Sequence, residues 1–531
     1  MEKTFRESMN WLHTWAGLMT GGILFAVFWT GTLCVYDREI DRWMMPTTRI
    51  PVTSTLFSAD SAWQTTKDQA IGSPLWVLQY PNAREPTARA LFADAGKSTR
   101  NVDLAASKKA IPLFRDQLDV THIDPANGAV LPDPGTRAGT GFLFPFHWHL
   151  HLRDSGIGQW IVGFVGMAML MLIISGVIIH RDIFTQFFTL RARKVTGRTV
   201  LDLHNVSGVL ALPFHFVITI SGLAIFLFLY FPSSVDVTHK GGMAEFFNES
   251  RAQYSRPAAR QPGEVVSLDA MVAKSQELWG GGMPVTLVIY NPGDANAVVE
   301  VGRSIDDTIP YNNRLAYFDA GTGALLQYGD IHPIATVQRF IAGLHFINFR
   351  HWTLRFLYFV LGIAGCALIA TGLLYWVQAR KKLHGARGVA FVEGMTTGSV
   401  GGLMLATLAF FIVNRLLPLG LDYRSGWEIW TFSLIWIAAF AHAWARPAHA
   451  WREQMWGIAA GSLAAVALNW ITTGDHLART LATQQWGVAG MDVTLLVSAW
   501  LAFVSATKLR QRKPAKERVS PLNERAPGAA E

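Results

Sequence analysis

The feature that most constrains this chain is the length of its charge-free apolar stretches. Residues 8–36, 155–180, 203–231, 356–379 and 394–414 contain no Asp, Glu, Lys or Arg, and shorter stretches of the same kind follow at 429–445, 455–474 and 493–507. A helix needs roughly 20 consecutive apolar residues to cross a bilayer. The pattern predicts an all-α polytopic membrane protein with about eight transmembrane helices, the last bounded by Asp492. Composition agrees: of 531 residues 50% are hydrophobic and 16% charged, where a soluble domain carries roughly 25% charge. The first stretch is too long for a signal peptide and lacks a small-residue cleavage site, so it reads as a retained helix. A net charge of +8 does not imply nucleic acid, because Lys and Arg cluster just outside the apolar stretches, where they set topology. Cys34 and Cys366 both lie inside apolar stretches, so they build neither a disulfide framework nor a zinc site.

The basic residues also orient the chain. The 181–202 connection carries Arg181, Arg191, Arg193, Lys194 and Arg198; the 379–393 connection carries Arg380, Lys381, Lys382 and Arg387; the tail carries Lys508, Arg510, Arg512, Lys513, Lys516 and Arg518. With eight spans these share one side with the N-terminus, and the positive-inside bias makes that side cytoplasmic. The expected order is helix 1 in 1–36, an outer module in 37–154, helices 2 and 3 with a basic loop in 155–231 and a second outer module in 232–350. Helix 4 follows in 351–380, then an appended four-helix unit in 394–507 and a cytoplasmic tail in 508–531. In a bacterium the two modules face the periplasm.

The first four helices read as a duplicated pair. In helix 1 His13 is followed by Gly17 and Gly31; in helix 3 His204 is followed by Gly208 and Gly222, the same offsets of 4 and 18. Helices 2 and 4 share Ile174-Ser175-Gly176-Val177 and Ala370-Thr371-Gly372-Leu373. Outside the membrane, residues 123–131 resemble 318–326, each a strand, a Gly-containing turn and a strand. A helix over 267–279 and strands over 284–290 and 297–303 make each outer segment a small α+β module. The last four helices fall outside the repeat and show few ionisable residues within their spans.

A histidine inside a span is a candidate functional residue, because an unpartnered polar group there is costly. His13, His180 and His204 lie near the cytoplasmic ends of helices 1, 2 and 3. His215 is 11 residues after His204, which in a straight helix places it on nearly the same face about 16 Å further along. On the outer side His147, His149 and His151 precede helix 2 and His345 precedes helix 4. This is two tiers of histidine across one bilayer. Imidazole is a common axial ligand of haem iron; the alternatives are helix caps bonded to backbone carbonyls and a proton relay, although helices 1–4 hold no Asp or Glu in their interiors. His122 reads as a strand residue of the first module. His239, His332, His351, His384, His442, His449 and His476 read as loop or interface residues.

The chain resembles the PepSY-associated transmembrane helix family, whose members include iron-regulated inner-membrane proteins and ferric-siderophore reductases. The resemblance spans about 8–380. It rests on His13-Thr14-Trp15-Ala16-Gly17, Phe146-His147 with Leu150-His151, and Ser175-Gly176-Val177-Ile178-Ile179-His180. It continues in Asp202-Leu203-His204-Asn205, Leu212-Pro213-Phe214-His215, Gly343-Leu344-His345 and Thr371-Gly372-Leu373. The resemblance implies PepSY-like outer modules and haem b, two groups with bis-histidine ligation, drawn from His13, His147, His151, His180, His204, His215 and His345. It also implies an enzyme of the bacterial inner membrane that reduces a ferric siderophore or other ferric chelate on the periplasmic side. The chain has no G-x-G-x-x-G or P-loop motif, so electrons are expected from a separate cytoplasmic reductase or a quinol of the surrounding lipid. Competing readings are an iron or iron-chelate permease and a non-enzymatic regulator built on the PepSY modules.

Overall fold

The computed structural model describes residues 4–52, 57–92, 118–152, 156–180, 196–251, 253–311, 314–329, 332–381 and 386–509. The segment Phe187–Arg191, most of the basic 181–202 connection and the tail beyond 509 lie outside the described residues. The chain opens with α1 (Phe5–Cys34), started by a capping box: Thr4 Oγ1 accepts from the Glu7 N–H, and the Glu7 carboxylate accepts from the Thr4 N–H. Such reciprocal caps satisfy two of the donors that a helix start leaves open. A short amphipathic α2 (Asp37–Met44) follows and leads into the first outer segment.

The two outer segments do not form separate modules. Helix α3 (Ala59–Ala70) and strands β1 (Leu75–Gln79), β2 (Ala88–Phe92) and β3 (Asp119–Ile123) come from the first. The second segment's helix and strands join them in one seven-stranded antiparallel sheet of order β3-β2-β1-β4-β5-β6-β7. The later strands are β4 (Pro284–Tyr290), β5 (Val298–Arg303), β6 (Leu315–Asp319) and β7 (Leu325–Tyr328), close to the expected positions. The halves meet where β1 pairs with β4, Leu75 opposite Tyr290 through Gln79 opposite Thr286. The helices confirm the two-fold relation. Asp269, opening the helix Leu268–Trp279, accepts from Ser58 and the Ala59 N–H at the start of α3. Asp60 of α3 accepts from Ser267 and the Leu268 N–H in return. Each helix start thus has its own serine cap and a further acceptor from the other half. One sheet face buries Trp76, Leu78, Leu287, Ile289 and Phe318 under the two helices. The alternate residues Val77, Leu91, Val288, Tyr290 and Tyr317 form a second cluster on the opposite face, as the two-residue period of a strand requires.

Below the sheet the core consists of α1, α4 (Phe144–His149) with α5 (Ile157–Ile179), α6 (Thr196–Leu210) with α7 (Leu212–Ile225), and α8 (Pro333–Phe346) with α9 (Trp352–Arg380). The third helix of the repeat is not straight: α6 and α7 meet at 66°. Pro213, in the first turn of α7, has no N–H to give the preceding turn, so the break falls at Ala211. The single-face relation expected for His204 and His215 does not survive this bend. Among the described residues six helices are long and apolar enough to cross a membrane, Phe5–Cys34, Ile157–Ile179, Trp352–Arg380, Gly388–Leu416, Ala450–Thr473 and Trp486–Lys508, and the bent pair makes up to seven. The remaining expected span is helical over Arg424–Ala445, but Glu428, His442 and four tryptophans lower its apolar character.

The appended helices pack directly on the repeat. Phe142 contacts Phe410 with ring centres 4.5 Å apart, and Trp29 donates to Thr407 at 3.0 Å. Their spans hold more buried charge than the sequence suggested: Arg415, Arg424, Glu428 and Asp492 are all buried. Arg424 pairs with Glu428 at 3.0 Å, and Trp43 donates to Asp492 at 2.8 Å. A second polar lock fixes the sheet over the core. Glu39 of α2 accepts from Arg84 of the β1–β2 loop at 2.8 Å and from Arg355 of α9 at 3.1 Å. Burial opposes ionisation of Glu39, but the two guanidinium groups outweigh it and hold its carboxyl at about 2.

Candidate functional site

Four of the seven expected histidines form two pairs at opposite ends of the repeat core. His13 of α1 and His204 of α6 meet with ring centres 6.3 Å apart. His147 of α4 and His345 of α8 meet at 6.1 Å. Along α1 the two sites are well separated: Gly31, against which His147 lies, is 18 residues from His13, about 27 Å in an α-helix. That is close to the thickness of a bilayer's hydrocarbon layer.

All four rings are seated alike. Each lies over a glycine on a neighbouring helix, and a Cβ there would reach the ring. A Cβ on Gly31 would stand 2.6 Å from His147 Cε1, on Gly222 2.8 Å from His345 Cε1, on Gly372 3.0 Å from His204 Cε1, and on Gly176 3.3 Å from His13 Cε1. The missing side chain lets the ring reach the helix carbonyl four positions earlier. His147 Nδ1 lies 2.8 Å from the Val27 oxygen, His204 Nδ1 2.8 Å from that of Leu368, and His345 Nδ1 3.0 Å from that of Ile218. At His13 the Ser175 hydroxyl is bonded to Nδ1 at 3.0 Å, with the Leu172 carbonyl also in hydrogen-bond reach. Every one of these glycines follows a Ser or Thr, namely Thr30, Ser175, Ser221 and Thr371, whose hydroxyl donates to its own helix one turn back.

This seating fixes the chemistry of the rings. A carbonyl oxygen only accepts, so Nδ1 of His147, His204 and His345 carries the proton and Nε2 keeps its lone pair. That is the tautomer of a histidine that ligates through Nε2, with Nδ1–H held by a backbone oxygen. The spacing also suits a shared metal: two imidazole nitrogens about 2 Å from one atom, with about 1 Å more to each ring centre, place the centres about 6 Å apart. Among the described residues no group of three or more His, Cys, Asp or Glu side chains could hold a metal ion. A pair of imidazoles therefore fits a metal that brings its other ligands with it, and the glycine cradles hold the imidazole rings in place against the helices.

The other three expected histidines are placed differently. His180 ends α5 beside the inner pair, close enough to act electrostatically on both His13 and His204. His151 turns toward the appended helices: its ring stacks on Phe142 at 4.7 Å and its Nε2 donates to the Phe142 carbonyl at 3.0 Å. His215 is buried between the two tiers against Phe28, 6.0 Å away, and over Gly365, with no hydrogen-bond partner at Nε2 among the described residues. It joins neither pair, and the position equivalent to it in the first repeat is Leu24. His122 sits on β3 as expected, where burial and the nearby Arg89 hold it down at about 3.

The outer pair opens into a cavity of about 1710 Å³ that reaches up to the sheet. Its floor includes Gly31, His147, Gly222 and His345, and its roof Gln79, Leu91, Thr286 and Tyr290. Sites for drug-sized ligands usually measure roughly 300–1,000 Å³, so this space exceeds the needs of one small molecule. The sequence did not mark this chamber, because its roof forms only when β1 pairs with β4.

The chain is similar to an uncharacterized protein of Pseudomonas aeruginosa, 25% identical over 358 residues that make up 64% of this chain and 88% of the relative. The family described as PepSY-associated TM region matches residues 10–379, the whole of the duplicated core with its sheet, and the chain belongs to that family.

Proposed function

We propose that this protein is a haem-containing reductase of the bacterial inner membrane that delivers electrons to a ferric chelate, a ferric siderophore for example, on the sheet side. The observation that carries this reading is the pair of histidine pairs, one at each end of a four-helix core, each ring tied through Nδ1 to a helix carbonyl or, at His13, to the Ser175 hydroxyl. His13 with His204 and His147 with His345 would hold one haem b each. Haem bound there supplies one-electron redox chemistry at both faces of the membrane. The glycines keep the helix surfaces flat against the rings. The carbonyl and hydroxyl partners at Nδ1 keep the imidazoles neutral and fixed in rotation. The apolar side chains of α1, α5, α7 and α9 keep water from the space between the tiers.

The Lys and Arg bias of the basic connections supports a reading with the inner pair on the cytoplasmic side and the sheet in the periplasm. The electron donor is then a separate reductase or a membrane quinol. The cavity beneath the sheet admits the chelate next to the outer pair. One electron converts its Fe(III) to Fe(II), and the less highly charged ion is held more weakly by hard oxygen donors. A reduced-minus-oxidised visible spectrum of purified protein tests the reading. Low-spin bands from bis-histidine iron are expected. Protein purified from haem-replete cells without a Soret band would leave the permease or regulatory readings instead.

A further inference from the structure

Among the described residues, no acid pairs with Arg339 on the wall of the outer cavity. Arg339 lies on α8, the helix that carries His345, and both line the cavity. Its Nε is buried without a hydrogen-bond partner. Among the described residues its guanidinium has no ion pair; its neighbour is the Tyr311 ring, whose centre is 5.3 Å away. Three other arginines of the cavity differ: Arg84 and Arg89 face Glu39 and Glu85 at 2.8 and 2.6 Å, and Arg424 faces Glu428. Burial lowers the pKa of Arg339, and among the described residues the opposing influence is Tyr311. A partly buried guanidinium with no counter-charge is costly unless a ligand completes it.

Resting on the haem reading above, we infer that Arg339 is the clamp for a carboxylate of the group held between His147 and His345, a haem propionate. A macrocycle in that place carries two carboxylates, and carboxylates are excluded from hydrocarbon. They must therefore point toward the sheet, the polar end of the same cavity. Arg339 stands on that side, six residues before His345 on one helix. A guanidinium offers two parallel N–H donors that match a carboxylate, which an ammonium does not. Arg339 is thus a positioning residue for the outer group, and its loss leaves the inner pair untouched.

The test compares wild type with Arg339→Gln and Arg339→Lys, each purified without any ferric chelate. Haem-to-protein ratio, visible spectrum and redox titration are read for each. Arg339→Gln is expected to fall from two haems per chain toward one, or to keep both with the outer midpoint potential lowered because an uncompensated carboxylate favours ferric iron. Arg339→Lys is expected to lie between wild type and Arg339→Gln. Both haems present in Arg339→Gln with unchanged spectrum and midpoints would overturn the assignment. So would a variant altered only in the KM for an added ferric chelate, since the guanidinium would then hold the substrate's own anionic group. A wild-type protein without haem would overturn the parent reading first, and is told apart by needing no variant at all.

Discussion

At the inner pair the rings of His13 and His204 meet edge to face at 82°, whereas at the outer pair His147 and His345 lie closer to parallel, at 25°. Both pairs use one backbone device: a Ser or Thr, a glycine, and a carbonyl one turn back that fixes the facing imidazole. The difference lies in what each pair faces. The outer pair looks into a large cavity with arginines on its wall, while the inner pair has His180 as its polar neighbour. Duplication supplied two equivalent histidine pairs. On the function proposed above, the sheet over one of them makes that pair the place where a substrate would arrive.

Removing a ligand should break the comparison most strongly. His345→Ala is expected to lose the outer haem and keep the inner one; His204→Ala is expected to do the reverse. Haem-to-protein ratios and reduced-minus-oxidised spectra of the two variants check this, and loss of both haems in either variant would mean that the sites are not independent. His215→Ala, by contrast, is expected to keep both haems, because that ring joins neither pair.

The next largest effect concerns the lock between sheet and core. Glu39→Gln leaves Arg84 and Arg355 without their shared carboxylate, and breaking a buried pair costs about 3–5 kcal/mol. Thermal unfolding in detergent should fall accordingly. The folded carboxyl at about 2 lies below its ordinary value, so the native state holds fewer protons than the unfolded chain. Its stabilisation is fully present above about pH 4.5 and is lost as pH falls toward about 2. Wild type should show that acid window, and Glu39→Gln should lack it.

Subtler changes sharpen the likeness of the two pairs. Alanine at Gly31 or Gly222 pushes a Cβ to within 2.6 or 2.8 Å of a ring carbon, while at Gly372 and Gly176 the approach is 3.0 and 3.3 Å. Overpacking of this kind costs about 1–3 kcal/mol. Haem retention on heating should therefore fall most for Gly31→Ala and least for Gly176→Ala. An outer glycine variant that tolerates alanine better than Gly176→Ala would show that the cradles are not what seats the rings.

Much of this was legible in the sequence, and the rest was hidden for definite reasons. The histidine tiers, the repeated glycine offsets and the Ser175-Gly176 and Thr371-Gly372 dipeptides could all be read from spacing. What the second glycine of each helix is for could not. The rings over Gly31 and Gly222 bond to carbonyls 120 and 127 positions away in the chain, and helical periodicity carries no information at that distance. The single sheet was hidden likewise, because β1 and β4 look like ordinary strands of separate segments until their edges meet. The bend at Ala211 had a visible signal in Pro213, which a straight-helix projection ignores. Glu428 and Asp492 each stood at a span edge, where one acid looks like a boundary rather than half of a buried contact.

The central claim is that two imidazole pairs hold two haems in one four-helix core. The most direct measurement is the haem-to-protein ratio of the purified wild-type chain, read together with its low-temperature electron paramagnetic resonance spectrum. The account predicts two haems per chain and two low-spin ferric signals, distinct because the ring planes differ at the two pairs. Absence of haem, or a single haem whose signal survives both His345→Ala and His204→Ala, would contradict it.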